Sequence, residues 1–154
     1  MPLNDLVSAQ AIIPALRANS KKQVLQELAA RASELSGVPE REIFDTLLQR
    51  ERLGSTGVGN GIAIPHGKLG SFKQLFGLFA RLERPIDFEA LDGEPVDLVF
   101  VLLAPESAGA DHLKALARIA RLLRDPSIAQ NLRNSRDEAA LYAVLTQPLA
   151  SNAA

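Results

Sequence analysis

Two histidines and one glycine-rich run carry the reactive potential of this 154-residue chain. The run is Arg50-Glu51-Arg52-Leu53-Gly54-Ser55-Thr56-Gly57-Val58-Gly59-Asn60-Gly61-Ile62-Ala63-Ile64-Pro65-His66-Gly67-Lys68. Its glycines let the backbone approach a ligand closely, and clustered backbone N–H groups form concavities that bind anions. Ser55 and Thr56 add hydroxyl donors. The same glycines also serve plain turns. Ile62-Ala63-Ile64 reads as a short buried strand, and Pro65 fixes φ just before His66 while pushing Ile64 toward extended geometry. His66 is thus expected at the strand end, with Gly67 leaving room beside its ring. That position suits an imidazole that must meet another protein's reactive residue, or one that caps the strand. His112 falls in the first turn of an expected helix, where the positive end of the helix dipole favours neutral imidazole and attracts anions. An ordinary first-turn histidine has the same address. Arg50 opens the run at the end of a helix, just before the glycine loop, where it complements the helix dipole or reaches a phosphate.

Other chemistries fail on spacing or composition. Zero cysteines exclude disulfides, thiolate metal sites and a cysteine nucleophile. Gly61 to Gly67-Lys68 has five intervening residues where a P-loop needs four, and Leu69 stands where Ser or Thr should hold magnesium. Gly57-Val58-Gly59-Asn60-Gly61 does not satisfy G-x-G-x-x-G. Two histidines and Asp111 have no close ligand spacing, so no metal is expected. The Arg-His-Gly hallmark of histidine phosphatases is replaced by Pro65-His66-Gly67. With 17 Lys and Arg against 18 Asp and Glu, the net charge of −1 implies no basic field for nucleic acid. No apolar run approaches the ~20 residues that span a bilayer, and the first residues lack a signal pattern. A cytoplasmic protein without membrane insertion is expected.

The elements that must position these residues are legible at coarse grain. Ser20, with Gln23 in capping-box position, opens a helix carrying Val24, Leu25, Leu28, Ala32 and Leu35, which Gly37 stops. Pro39 opens a second helix, with Ile43, Phe44, Leu47 and Leu48 as its stripe, ending near Arg52. Strands are expected at 75–82 and 96–103, with another near 11–13. The stretch at 96–103 is apolar on both faces and reads as central. A third helix begins near Ala110 or Asp111, Asp125-Pro126 breaks it, and a short helix runs to about Arg133. Ser135, with Glu138 in capping-box position, opens the last helix. Because no helix separates the strands near 75 and 96, the sheet is expected to be mixed rather than parallel. The expected class is α/β, a mixed sheet sandwiched between helices in α/β/α layers. It forms a single domain over 1–154, with a core at about 4–147 and a tail at 148–154.

The run Gly54 to Lys68 resembles the signature of enzyme IIA proteins of the bacterial phosphoenolpyruvate-dependent phosphotransferase system. More narrowly it resembles the mannitol/fructose class, and within that the nitrogen-related regulatory branch. The likeness extends over roughly residues 4–147 and takes in Pro85-Ile86-Asp87-Phe88, Pro95-Val96-Asp97-Leu98 and Asp111-His112-Leu113. It implies a phosphotransferase whose mixed sheet is flanked by helices. In it His66 accepts a phosphoryl group from an HPr-type phosphocarrier, His112 supports it from beside, and Arg50 lies near the phosphoryl group. Ser55, Thr56, Gly57, Asn60 and Gly67 are the expected phosphate-binding loop. No cofactor is implied. Regulatory targets such as potassium-transport regulators or sensor kinases follow only from the resemblance. The Gly-Ser-Thr-Gly loop and Asn60 favour the regulatory branch. The alternative is a sugar-specific IIA passing phosphate to a separate IIB.

The implied step needs a neutral imidazole attacking through one nitrogen, expected to be Nε2, with donors on the equatorial oxygens. Lys114, Arg118 and Arg121 form a basic row that is either a solvated helix face or a docking surface. Phe72, Phe76, Phe79 and Phe88 are either core or an apolar rim around the site.

Overall fold

The computed structural model describes residues 3–147. The expected tail at 148–154 lies outside the described residues. The chain starts with β1 (Val7–Leu16), then α1 (Lys21–Ser36) and α2 (Glu40–Arg52). Three short strands follow, β2 (Gly57–Gly59), β3 (Ile62–Ala63) and β4 (His66–Lys68). The long strands β5 (Phe76–Ile86) and β6 (Val96–Ala104) precede α3 (Ala110–Arg124), α4 (Pro126–Asn134) and α5 (Glu138–Thr146).

The sheet has the order β1-β5-β6-β3-β2, and β4 also pairs with β6. It is mixed: β1 runs parallel to β5, β5 antiparallel to β6, and β3 and β4 parallel to β6. β6 therefore has a neighbour on each side. From Leu98 to Ala104 every one of its side chains is fully buried, as a strand apolar on both faces must be. The consecutive strands β5 and β6, with no helix between them, pair antiparallel as their short connection requires.

Helix ends follow their capping chemistry. The Ser20 side chain accepts from Gln23 N at the start of α1, and the Gln23 side chain returns to Asn19 N. Gly37 closes α1 in the left-handed region at φ 80°, where a Cβ would be strained. Asp125 caps α4 by accepting from Ser127 N, with Pro126 at the first helical position. The last helix corrects the expectation at Ser135. Its cap is Asp137, whose carboxylate accepts from Ala140 N, while the Ser135 hydroxyl donates back to Asn131 O. The capping bond to the first turn comes from Asp137, so α5 starts at Glu138 and α4 keeps Ser135 as its own end.

One core holds the elements together. α1 and α2 pack as a pair, α1 also touching β1 and β5 and α2 touching β4, while α3 lies against β6 and α5 against β1. Phe79 and Phe88 are fully buried in that core and Phe72 nearly so, which assigns them to packing rather than to a rim. Among the described residues no helix is long and apolar enough to cross a membrane.

Candidate functional site

The C-terminal turn of α2, the start of β4 and the first turn of α3 converge on one open cleft of ≈ 450 Å³. It is lined by Thr46, Gln49, Arg50 and Leu53 from the α2 side, His66, Gly67 and Lys68 from β4, and His112 from α3. The three residues singled out for chemistry, His66, His112 and Arg50, thus meet, although 62 positions of chain separate the first and last of them. β6 brings this about, because it pairs with β4 in register His66↔Leu102 and leads through a single 3-10 turn, Glu106–Ala108, into α3.

His66 opens β4 rather than ending β3. Ile64 and Pro65 break the strand between them: the Pro65 nitrogen has no N–H to donate, while its carbonyl accepts from Leu102 N at 3.0 Å. The break turns the Ile64 carbonyl onto the imidazole: His66 Nδ1–H donates to it at 2.8 Å. This bond fixes the tautomer and leaves the lone pair on Nε2. Arg50 Nε donates to that Nε2 at 3.3 Å, and Arg50 Nη1 is held by the Gly54 carbonyl at 2.9 Å. His112 stands beside them, its ring centroid 5.6 Å from that of His66 and tilted by 54°. Only 8 % of His112 is exposed, and its Nε2 is buried without a hydrogen-bond partner. A buried polar atom left unpaired is costly, so a ligand oxygen is the natural completion.

Burial pushes both imidazoles below the usual 6.5, and the Arg50 guanidinium adds to this at His66. The Ile64 carbonyl and the Glu51 carboxylate work the other way at His66 without reversing the direction. At His112 the neighbouring His66 and Lys68 reinforce the lowering. Both shifts favour the neutral ring, the form a nitrogen nucleophile must have. Sign follows from this. The unfolded chain takes up protons on these two groups first as pH falls through 6.5, so the fold loses stability from there down to the folded-state midpoints. An NMR titration of the two rings is expected to give midpoints below 6.5 for both. A phosphoryl group on His66 adds −1.5 to −2 charges, so the His112 midpoint is then expected to rise.

The glycine-rich loop takes a different place from the one expected. Among the described residues lining the cleft, only Gly67 comes from the expected phosphate-binding set. The Ser55 hydroxyl donates to Phe88 O at 2.7 Å and accepts from Gly57 N at 3.0 Å. The Thr56 hydroxyl donates to the Glu51 carboxylate, which also accepts from Thr56 N. Asn60 adopts φ 57° at the tip of the β2–β3 hairpin, its N–H bound by Asp92 and its carbonyl by Arg133. These groups are spent on holding the loop. Two of the glycines are packing devices: a Cβ on Gly57 would lie 2.7 Å from the Ala90 Cβ, and one on Gly67 would lie 2.5 Å from the Thr46 methyl. Gly67 therefore admits α2 against β4 rather than leaving space beside the imidazole. Gly57→Ala is expected to cost about 1–3 kcal/mol in urea unfolding, since Ala90 backbone must shift to admit the methyl.

Several cleft residues escaped sequence reasoning. Lys68 read only as the end of a motif, and Gln49 and Thr46 drew no reading at all. Leu53, 85 % exposed, gives the cleft an apolar side chain in place of the phenylalanines. In the basic row on α3, Arg118 is engaged, its guanidinium forking onto Asp5 at 2.8 and 3.1 Å. Among the described residues, no three or more His, Asp or Glu side chains gather in a way that could hold a metal ion.

The family model described as "Phosphoenolpyruvate-dependent sugar phosphotransferase system, EIIA 2" matches residues 5–147. The chain is 68% identical over 153 residues to a nitrogen regulatory protein of Bradyrhizobium diazoefficiens, covering 99% of this chain and 100% of that one. It is 37% identical over 147 residues to a nitrogen regulatory protein of Escherichia coli, covering 95% and 90% respectively. Among solved structures, the nitrogen regulatory protein IIA-Ntr from Neisseria meningitidis matches with a TM-score of 0.89 at 35% identity, covering 94% of this chain and 99% of that one.

Proposed function

Because the chain belongs to the EIIA 2 family of the phosphoenolpyruvate-dependent sugar phosphotransferase system, we propose that it is a phosphoryl carrier with a regulatory role, charged on Nε2 of His66. The observation that carries this reading is the tautomer. Nδ1–H is committed to the Ile64 carbonyl, so the one nucleophilic nitrogen is the one beside Arg50 in the cleft.

The donor is an HPr-type phosphocarrier presenting its own phosphohistidine. As the bond from phosphorus to the donor nitrogen breaks, the bond to Nε2 forms. Positive charge developing on the His66 ring spreads to Nδ1–H, where the Ile64 carbonyl stabilises it. Arg50 moves from the Nε2 lone pair to an equatorial phosphoryl oxygen, a displacement of about one hydrogen-bond length. His112 donates its buried Nε2–H to another oxygen, which satisfies the atom the resting site leaves unpaired. Phosphoryl transfer asks for little beyond such positioning and charge stabilisation.

The identities of 68% and 37% with nitrogen regulatory proteins favour the regulatory branch over passage of phosphate to a sugar-specific IIB. Exposed Leu53 in the wall of the His66 cleft suits a brief, small docking with a carrier and then with a regulated target. Potassium-transport regulators and sensor kinases are the target classes this reading proposes, with a cytoplasmic site of action. The test is transfer itself: incubation with a phosphorylated HPr-type carrier charges the protein, with the label on a histidine and persisting rather than hydrolysing in seconds. Absence of transfer, or rapid hydrolysis, contradicts the reading.

A further inference from the structure

Glu51 is the most deeply buried carboxylate among the described residues, with its side chain 2% exposed, and it lies next to Arg50 without entering the cleft. A charge so placed needs full compensation. Its Oε1 accepts from Lys21 Nζ at 2.9 Å and from Thr56 N at 3.1 Å, and its Oε2 accepts from the Thr56 hydroxyl. Lys21, the first residue of α1, also reaches Glu89 at 3.2 Å and lies 5.1 Å above the Phe88 ring. Ser55 completes the set by donating to the Phe88 carbonyl. One carboxylate therefore ties the start of α1, the end of α2 and the entry to β2 together.

The loop fixed this way begins with Gly54, whose carbonyl holds Arg50 Nη1 at 2.9 Å while Arg50 Nε addresses His66. We propose that Glu51, clamping Thr56 and Lys21, is a positioning residue of the phosphoryl-transfer site that acts through Arg50: it sets the Gly54 carbonyl that aims the guanidinium. The Ser55-Thr56 pair of the glycine-rich signature then contributes by orienting the arginine from behind, and its hydroxyls do not bind phosphate. This inference rests on His66 being the acceptor and Arg50 its charge partner.

The test is a double-mutant cycle on initial rates of phosphoryl uptake from a phosphorylated HPr-type carrier, using wild type, Glu51→Gln, Arg50→Ala and the double variant. Glutamine keeps the shape but offers one acceptor oxygen in place of two and no charge, so its NH2 end can accept neither from Thr56 nor from Lys21. Glu51→Gln is expected to slow uptake roughly tenfold in the wild-type background, since small misplacements of a charge partner are amplified in rate. With Arg50 already alanine, the same change is expected to cost less than about twofold, because coupled residues are non-additive. Equal losses in both backgrounds, or no loss in either, overturn the proposal. Should Glu51→Gln fail to fold, Thr56→Val replaces it in the cycle and Thr56→Ser is the conservative control. Valine is expected to slow uptake and serine to retain it, and equal rates for the two contradict the clamp. His66→Ala separates the levels. If that variant is charged as fast as wild type, the acceptor reading fails; if it is not charged while the cycle is additive, only the role of Glu51 fails.

Discussion

Replacing His66 by alanine is expected to abolish phosphoryl uptake from a phosphorylated carrier, measured as protein-bound label after gel filtration. The size of the effect follows from the inventory of the cleft. Carriage requires a nitrogen nucleophile that is unprotonated, desolvated and accessible. Within the cleft only His66 has its second nitrogen committed to a carbonyl, so that Nε2 is held as the lone pair with Arg50 beside it. His112 is a poor substitute. Its Nε2 is buried, and among the described residues no hydrogen bond reaches it as Arg50 reaches His66. The loss is therefore expected to be complete, while the fold persists, because His66 is only partly buried and lies at the sheet margin on β4. Urea unfolding of His66→Ala at pH 7.5, where both imidazoles are neutral in either state, checks that the loss is chemical rather than structural.

The second large effect is expected at Arg50. Removing one preorganised donor aimed at developing charge typically costs about 10²–10³ in rate, and Arg50→Ala is expected to fall in that range for initial uptake. The guanidinium has two duties here, addressing the reactive nitrogen through Nε and anchoring to Gly54 through Nη1. Lysine can supply charge but not the two-point hold of a planar fork. Arg50→Lys is accordingly expected to recover only part of the loss. The sign of the pH effect also separates the two substitutions. Arg50 lowers the basicity of His66, so in Arg50→Ala the His66 midpoint is expected to move up toward 6.5. A slower variant with an unchanged His66 midpoint would place Arg50 outside the electrostatic reach assigned to it.

How much of this was legible beforehand differs residue by residue. Ser20, Gln23 and Gly37 announce α1 because caps are local: the groups that satisfy a helix end lie within a turn of it. The centrality of β6 follows from apolar side chains on both its faces. Proline between Ile64 and His66 marks a break, but whether the histidine falls before or after it depends on pairing with Leu102, a contact across 36 residues. β2 and β4, three residues each, are too short to show a period and exist because β3 and β6 offer them hydrogen bonds. Asn60 carries turn chemistry that reads equally as hairpin tip or anion cradle, and only its bonds to Asp92 and Arg133 decide for the hairpin. Glu51 is the clearest case of what sequence hides. In a helix end written Arg-Glu-Arg it looks like one more solvated charge, and its burial is set by Lys21 and Thr56 arriving from other elements. His66, Arg50 and His112 were recognisable as types, yet their convergence depends on β6 running between β4 and α3.

The central claim, that this protein carries its phosphoryl group on Nε2 of His66, is tested most directly by NMR of the protein labelled with ¹⁵N in its histidines and charged by a phosphorylated carrier. The account predicts one phosphorus nucleus coupled to Nε2 of His66, with Nδ1 of the same ring still protonated and hydrogen-bonded. Coupling to Nδ1 of His66, or to either nitrogen of His112, would contradict it.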